Sequence, residues 1–189
     1  MTTTASHPSS AESMIEDTRV RQWKMSLHEA GHAVAGRHLL KRTTRAAVFG
    51  NGFGVVDLGG GTDVPISFRE AKAAAAGKAA ESLASQFDPP EVQFPVLLLE
   101  ETYPETAGPL VACVAKLMPD ETAIARWCIQ GCEGQPWLWA KRHRWVYSAA
   151  AEFVSEYRRE IVDIAAELYE RGVVTLETEP VRPAPTRCC

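Results

Sequence analysis

Long hydrophobic runs are missing from this sequence. Apolar stretches such as Val96–Leu99 are far shorter than the roughly 18 residues that a bilayer-spanning helix needs. Residues 1–13 are polar and do not contain the apolar segment of a secretory signal peptide. These two absences predict a cytoplasmic protein without a membrane segment.

Cysteines with the spacing of a metal-binding pair are missing as well. The chain has five cysteines, an odd number, and no two of them are spaced as CxxC. A structural zinc ribbon or a disulfide framework is therefore not expected. Cys128 and Cys132 are four residues apart and would share a helix face, but cysteines of this kind more often pack in a core than bind a metal.

The chain has no excess of positive charge and no phosphate-binding loop. Its net charge is -4, so neither nucleic acid nor an acidic membrane is expected as a partner. The pattern GxxxxGK[ST] does not occur, which argues against an ATPase module of its own. With 189 residues, the chain suits one domain. We predict a disordered N-terminus over residues 1–12, a single domain over 13–178 and a proline-rich tail over 179–189.

One motif contains the residues of a possible catalytic metal site. Residues 28–32 read HEAGH, an HExxH pattern in a segment with helical periodicity. Two histidines four apart lie on one helix face, so His28 and His32 can bind the same zinc ion. Glu29 lies beside that face and is the candidate catalytic base, which would take a proton from a metal-activated water.

Two segments resemble the FtsH-type zinc metalloproteases, the AAA-linked peptidase family. HEAGHAVAG, from His28, resembles the active-site helix of that family, and Ala76–Glu81, which reads AGKAAE, resembles its (A/G)GxAAE segment. The resemblance implies a zinc-dependent endopeptidase domain that is mainly α with a small β hairpin or sheet, of the zincin-like helical type. Glu81 would then either accept an N–H from a zinc-binding histidine or be an ordinary surface glutamate.

A hairpin is predicted after the HExxH helix. Two short apolar runs, 45–49 and 53–58, flank Gly-Asn-Gly, a combination typical of a tight strand connection. In the family that the chain resembles, the edge strand of such a sheet pairs with the substrate backbone. The hairpin is either a peptide-binding edge of this kind or purely structural.

The third zinc ligand is not evident from the sequence. His7, His38 and His143 are poorly placed for it, so an acidic ligand is favoured. In the resembling family it is an aspartate at the start of a helix downstream of the AAE segment. Glu105, just before a helix predicted from Thr106, is our first candidate for this position. Three further acids are alternatives: Glu101, Asp120 and Glu81.

The C-terminal third predicts a long amphipathic helix. Its apolar positions recur at spacings of three and four from Val146 to Leu168, and Gly172 follows in the position of a C-cap. The basic run Lys141–Arg144 near its start is interpreted as a solvated face.

Together these patterns predict a zinc-dependent endopeptidase that hydrolyses peptide or unfolded-protein substrates. Two alternatives stay open. One is a catalytically inactive zincin-like module with a binding or regulatory role, and the other is a metal-free helical interaction protein with a fortuitous HEAGH. The sequence does not say whether the chain forms a homo-oligomer or works with a separate ATPase.

Overall fold

The computed structural model describes residues 10–49, 54–57, 66–90, 120–130 and 135–178. Within these ranges the chain is mainly helical with a small three-stranded antiparallel sheet, as predicted. The helices are α1 (Ser10–Ala35), α2 (Phe68–Ala80), α3 (Asp120–Ile129), α4 (Pro136–Glu156) and α5 (Arg158–Arg171), and the strands are β1 (Thr44–Val48), β2 (Gly54–Asp57) and β3 (Val173–Leu176). None of the helices in these ranges is long and apolar enough to cross a membrane.

Helix α1 is longer than expected. It begins at Ser10, so residues 10–12 are helical, although the sequence predicted disorder up to residue 12. Once a helix is nucleated, each added residue gains a hydrogen bond, which favours extension over compatible residues. A π-helical turn, Gly36–Leu40, follows α1 and ends where Lys41 adopts a left-handed φ of 56°. Residues 1–9 and the predicted tail 179–189 lie outside the described residues.

The predicted hairpin is confirmed. Strands β1 and β2 pair antiparallel, with Arg45 opposite Asp57 and Val48 opposite Gly54. Strand β3 pairs with the other side of β1, so the order is β2-β1-β3. Gly172 ends α5 with a left-handed φ of 75°, as its C-cap position predicted, and lets the chain turn directly into β3. Strand β2 is therefore an edge of the sheet among the described residues.

The predicted long C-terminal helix is instead two helices. Most of its apolar positions are buried as expected, but α4 and α5 are separated at Tyr157, whose backbone leaves the helical region. A regular apolar spacing is compatible with one helix or with two, because it reports only which residues are buried. The break allows α5 to pack against α1, where the Trp23 and Tyr169 rings meet edge to face at 5.9 Å.

Helices α1 and α2 cross unusually closely at Gly31. A Cβ atom at this position would lie 2.7 Å from the Ala76 carbonyl oxygen and 2.8 Å from the Ala80 Cβ. Gly31, Ala76 and Ala80 are all small residues, so the two backbones approach each other directly at this point. The crossing places the HEAGH segment of α1 against the AGKAAE segment of α2.

Replacing Gly31 by alanine tests this crossing. Helix propensity alone predicts that Gly31→Ala stabilises the protein by about 0.8–1.0 kcal/mol. Because the new methyl group would collide with backbone and Cβ atoms of α2, we expect a net loss of about 1–3 kcal/mol instead. Urea denaturation monitored by circular dichroism measures the difference. Ser155→Ala, at an exposed position of α4, is the control and should cause no loss. A Gly31→Ala protein at least as stable as the original would contradict the close crossing.

Candidate metal centre

The two histidines of the HExxH motif point their Nε2 atoms at each other. His28 Nε2 and His32 Nε2 are 3.0 Å apart, as expected for imidazoles one helical turn apart on α1. His32 is 4% exposed, and His28 is partly buried. Both rings are therefore held close together on the same face of α1.

The outer ring nitrogens determine the tautomers. His28 Nδ1 lies 2.9 Å from Glu81 Oε1, and His32 Nδ1 lies 2.9 Å from the carbonyl oxygen of Ala73. A carbonyl oxygen can only accept a hydrogen bond. Glu81 is also an acceptor, because hydrogen bonds from Lys78 and His28 hold the pKa of its carboxyl group below the usual value, against the effect of its partial burial. Both Nδ1 atoms must therefore donate, which leaves the Nε2 lone pairs of the neutral rings facing inward.

A carboxylate from a distant part of the chain completes the group. Asp120, the first residue of α3, places its Oδ2 2.9 Å from His32 Nε2 and 3.3 Å from His28 Nε2. Two neutral imidazoles and one carboxylate would then bring three lone-pair atoms together with no donor among them. This arrangement is unfavourable without a positive charge between the atoms. The group formed by His28, His32 and Asp120 could therefore hold a metal ion.

A proton can supply that charge when a metal does not. Burial opposes a charged His32, but the Asp120 carboxylate outweighs it and raises the pKa of His32 to about 9. Burial likewise opposes a charged Asp120, yet the two imidazoles keep its pKa below the usual value. A metal ion that binds here at neutral pH must displace the proton from His32, so metal affinity rises with pH up to about that pKa.

Glu29 is buried beside this group. It is 5% exposed, and its burial raises the pKa of its carboxyl group to about 7, although the neighbouring His32 and His28 act in the opposite direction. Strand β2 covers it so closely that a Cβ atom on Gly54 would lie 2.4 Å from Glu29 Oε1. The carboxyl group of Glu29 is thus poised between its protonated and ionised forms near neutral pH.

Helix α2 makes room for the His32 ring at Gly77. A Cβ atom there would lie 2.3 Å from His32 Nε2. No other side chain fits without displacing the imidazole edge that faces Asp120. Gly77 belongs to the AGKAAE segment, but the sequence alone had not shown why a glycine is needed. The neighbouring residues in the sequence do not indicate that Gly77 leaves space for His32 or that Gly54 leaves space for Glu29.

The structure brings together most of the residues that the sequence singled out. His28, Glu29, His32 and Glu81 lie together, and Glu81 contacts His28, which is one of the two roles that the sequence left open for it. Glu105, the first candidate for the third ligand, and its alternative Glu101 lie outside the described residues, so their assignment stays a prediction. The acid that the structure places beside both histidines is Asp120, another of the alternatives.

The other described histidines lie elsewhere. His38 Nε2 is 3.0 Å from Glu160 Oε2, and its ring packs on Tyr157 at 4.3 Å. His143 packs against Tyr147 on α4. Neither of these two histidines belongs to the possible metal-binding group found among the described residues.

No protein-family model, curated protein sequence or solved structure matches this chain significantly. The similarity to FtsH-type peptidases therefore rests on the two short motifs quoted above. The contact between those motifs in the structure is an observation independent of the similarity.

Gly77→Ala should damage the metal site while preserving the fold. The added methyl group would displace the His32 imidazole, so we expect zinc affinity to fall by tenfold or more, about the loss caused when a ligand's supporting contacts are removed. Zinc titration against a competing chelator measures the affinity. Arg69→Ala, at an exposed position near the start of α2, is the control and should bind zinc nearly as well as the original protein. An unchanged affinity for Gly77→Ala would show that the ring does not depend on this close contact.

Proposed function

We propose that the protein is a zinc-dependent endopeptidase that resembles the peptidase domain of the FtsH type. The observation that carries the proposal is the convergence of His28 Nε2, His32 Nε2 and Asp120 Oδ2 beside the buried carboxyl group of Glu29. Two histidines and one carboxylate leave one position of a tetrahedral site open, the arrangement typical of catalytic zinc.

The spacing of the three atoms suits zinc. Ligands about 2.0–2.1 Å from a tetrahedral zinc ion lie roughly 3.3 Å from one another. The observed separations among His28 Nε2, His32 Nε2 and Asp120 Oδ2 are 3.0, 2.9 and 3.3 Å. Nitrogen donors also disfavour calcium and magnesium, which take oxygen ligands. The same donor set holds iron in some oxygenases, but a buried carboxyl group directly beside the ligands favours hydrolysis.

Hydrogen bonds to the Nδ1 atoms of the two histidines keep the proposed ligands in position. The Glu81 carboxylate accepts from His28, and the Ala73 carbonyl oxygen accepts from His32. Each hydrogen bond holds one ring in the tautomer that presents Nε2 to the ion and makes the ring a better donor. Gly77 gives the His32 ring the space it occupies.

Glu29 is the proton carrier in this proposal. A bound zinc ion supplies Lewis acidity, which polarises a scissile carbonyl group and lowers the pKa of water in the open position. Glu29 takes the proton from the attacking water and later delivers it to the leaving amine nitrogen. Burial raises the pKa of the Glu29 carboxyl group, and a more basic carboxylate takes a proton from water more readily.

The sheet edge suggests the kind of substrate. Among the described residues, strand β2 is at the edge of the sheet, and its first residue, Gly54, touches Glu29. An extended peptide that adds to β2 through backbone hydrogen bonds would lie beside the base. We therefore propose peptides or unfolded segments as substrates, because a folded helix cannot offer its backbone to a strand.

Zinc binding should depend on Asp120. Asp120→Ala removes one of three donors, so we expect zinc affinity to fall by far more than tenfold, since even supporting contacts are worth about 10–100-fold. His28→Ala and His32→Ala should behave alike. Zinc titration and elemental analysis of the purified protein are the measurements.

Glu105→Ala is the matched comparison for this experiment. If Asp120 is the third ligand, the Glu105 variant should bind zinc as the original does. A loss of zinc in Glu105→Ala with full retention in Asp120→Ala would reverse the assignment. A metal-replete original protein that contains no zinc would remove the basis for a zinc enzyme.

Glu29→Gln should separate binding from chemistry. The amide has nearly the same size but cannot accept the proton, so the variant should retain zinc and lose hydrolysis of casein or of an unfolded peptide by at least about 10²–10⁴-fold. Glu152→Gln, at an exposed position of α4, is the control and should retain activity. Equal cleavage by Glu29→Gln and the original would exclude Glu29 as the base. Zinc binding without cleavage by the original protein would favour the inactive zincin-like module.

A further inference from the structure

The first half of α4 has an exposed face that combines tryptophan and positive charge. Trp137 is 68% exposed and Trp145 is 56% exposed, and Lys141 and Arg144 are exposed as well. Exposed apolar groups that lie together and are bordered by polar residues mark interaction surfaces. We call these four residues the tryptophan–basic face.

The helical spacing places these residues on one side of α4. Trp137, Lys141 and Arg144 follow one another at intervals of four and three, so they form a line along the helix, with Trp145 on its flank. The opposite side is buried, since Val146 and Ala150 are inaccessible and pack in a core cluster with residues of α2 and α3. The orientation of the tryptophan–basic face toward solvent is therefore fixed by the core.

The charge of this segment differs from that of the whole chain. No acidic residue occurs between Glu133 and Glu152, although the chain carries a net charge of -4. The whole-chain charge, which argued against an acidic membrane as a partner, hides this local excess. The sequence predicted a solvated face for Lys141–Arg144. Arg142 does not fit that prediction, since its guanidinium group lies 4.1 Å from the centre of the Trp127 ring.

An apolar surface continues beside this face. Ile129, at the end of α3, is 43% exposed, and an open groove of about 270 Å³ lies between α3 and α4, lined by Ala125, Cys128, Ile129, Trp139, Ala140 and His143. The Trp145 ring is stacked on Phe68 at 4.5 Å, which holds the indole in its exposed position. Trp145 is thus presented on a packed aromatic support.

We propose that the tryptophan–basic face docks on the surface of an anionic lipid bilayer. Indole rings favour the boundary between headgroups and acyl chains, and lysine and arginine side chains pair with anionic headgroups. Both kinds of group lie along one side of a single helix, which suits contact with a flat headgroup layer. A protein partner would need a concave acidic groove of its own to cover the same line. The docking is peripheral, with α4 lying in the plane of the surface, and it does not depend on the peptidase proposal.

Vesicle binding by the full chain tests this proposal. We expect co-sedimentation with vesicles of phosphatidylcholine and phosphatidylglycerol, little binding to phosphatidylcholine alone, and release by added salt. Tryptophan emission should shift to the blue on binding, as indole rings leave water. Lys141→Glu combined with Arg144→Glu should weaken binding by roughly tenfold or more. Trp137→Ala, which removes the most exposed ring, should weaken binding and reduce the emission shift.

A charge-matched variant separates this face from the net charge. Arg158→Glu combined with Arg159→Glu reverses two exposed charges on α5 and should leave vesicle binding nearly unchanged. Circular dichroism confirms that each variant is folded. The proposal is overturned if the original chain does not bind anionic vesicles at low salt, if it binds neutral vesicles equally well, or if both charge reversals weaken binding equally. Binding to polyglutamate or to single-stranded DNA without binding to vesicles would also overturn it.

Discussion

The close crossing of α1 and α2 is the constraint on which the rest of the site depends. Each helix contributes one glycine to it: Gly31 lies against Ala76, and Gly77 lies against His32. Protein interiors are packed too tightly to absorb an added methyl group by small shifts spread over many atoms. The separation of the two helices therefore sets the position of the His32 ring, and with it the distances from this ring to the Ala73 carbonyl oxygen and to Asp120.

The packing also determines the charge that the site requires. Once the outer nitrogens of His28 and His32 donate to Glu81 and Ala73, the inner nitrogens and the Asp120 carboxylate require a cation between them. The fold can meet this requirement with a proton on His32 or with a metal ion, and the two compete for the same place. Binding of a metal then needs little rearrangement, because the donors are already together. Preorganisation of this kind is what a catalytic metal site needs from its protein.

The prediction from sequence succeeded where the relevant geometry is local. His28, Glu29 and His32 lie within two helical turns, so their mutual placement follows from helical periodicity alone. The hairpin from β1 to β2 was also evident, since a short connection brings adjacent strands together. The division between α4 and α5 at Tyr157 was missed, because the apolar spacing stays regular through the break. Nothing in the sequence indicated that Trp137 would be exposed on the same side of α4 as Lys141.

The sequence by itself determined the helix and the relative positions of His28, Glu29 and His32. Residues four apart on an α-helix lie on the same face, one turn apart. Only the tertiary structure placed Asp120 beside the histidines. It starts a helix 88 residues beyond His32, and from the sequence alone Glu105 ranked ahead of it. Only the tertiary structure gave Gly54 and Gly77 their functions as well. The sequence shows that these two positions have no side chain. The groups that fill the space, Glu29 at Gly54 and His32 at Gly77, both belong to α1.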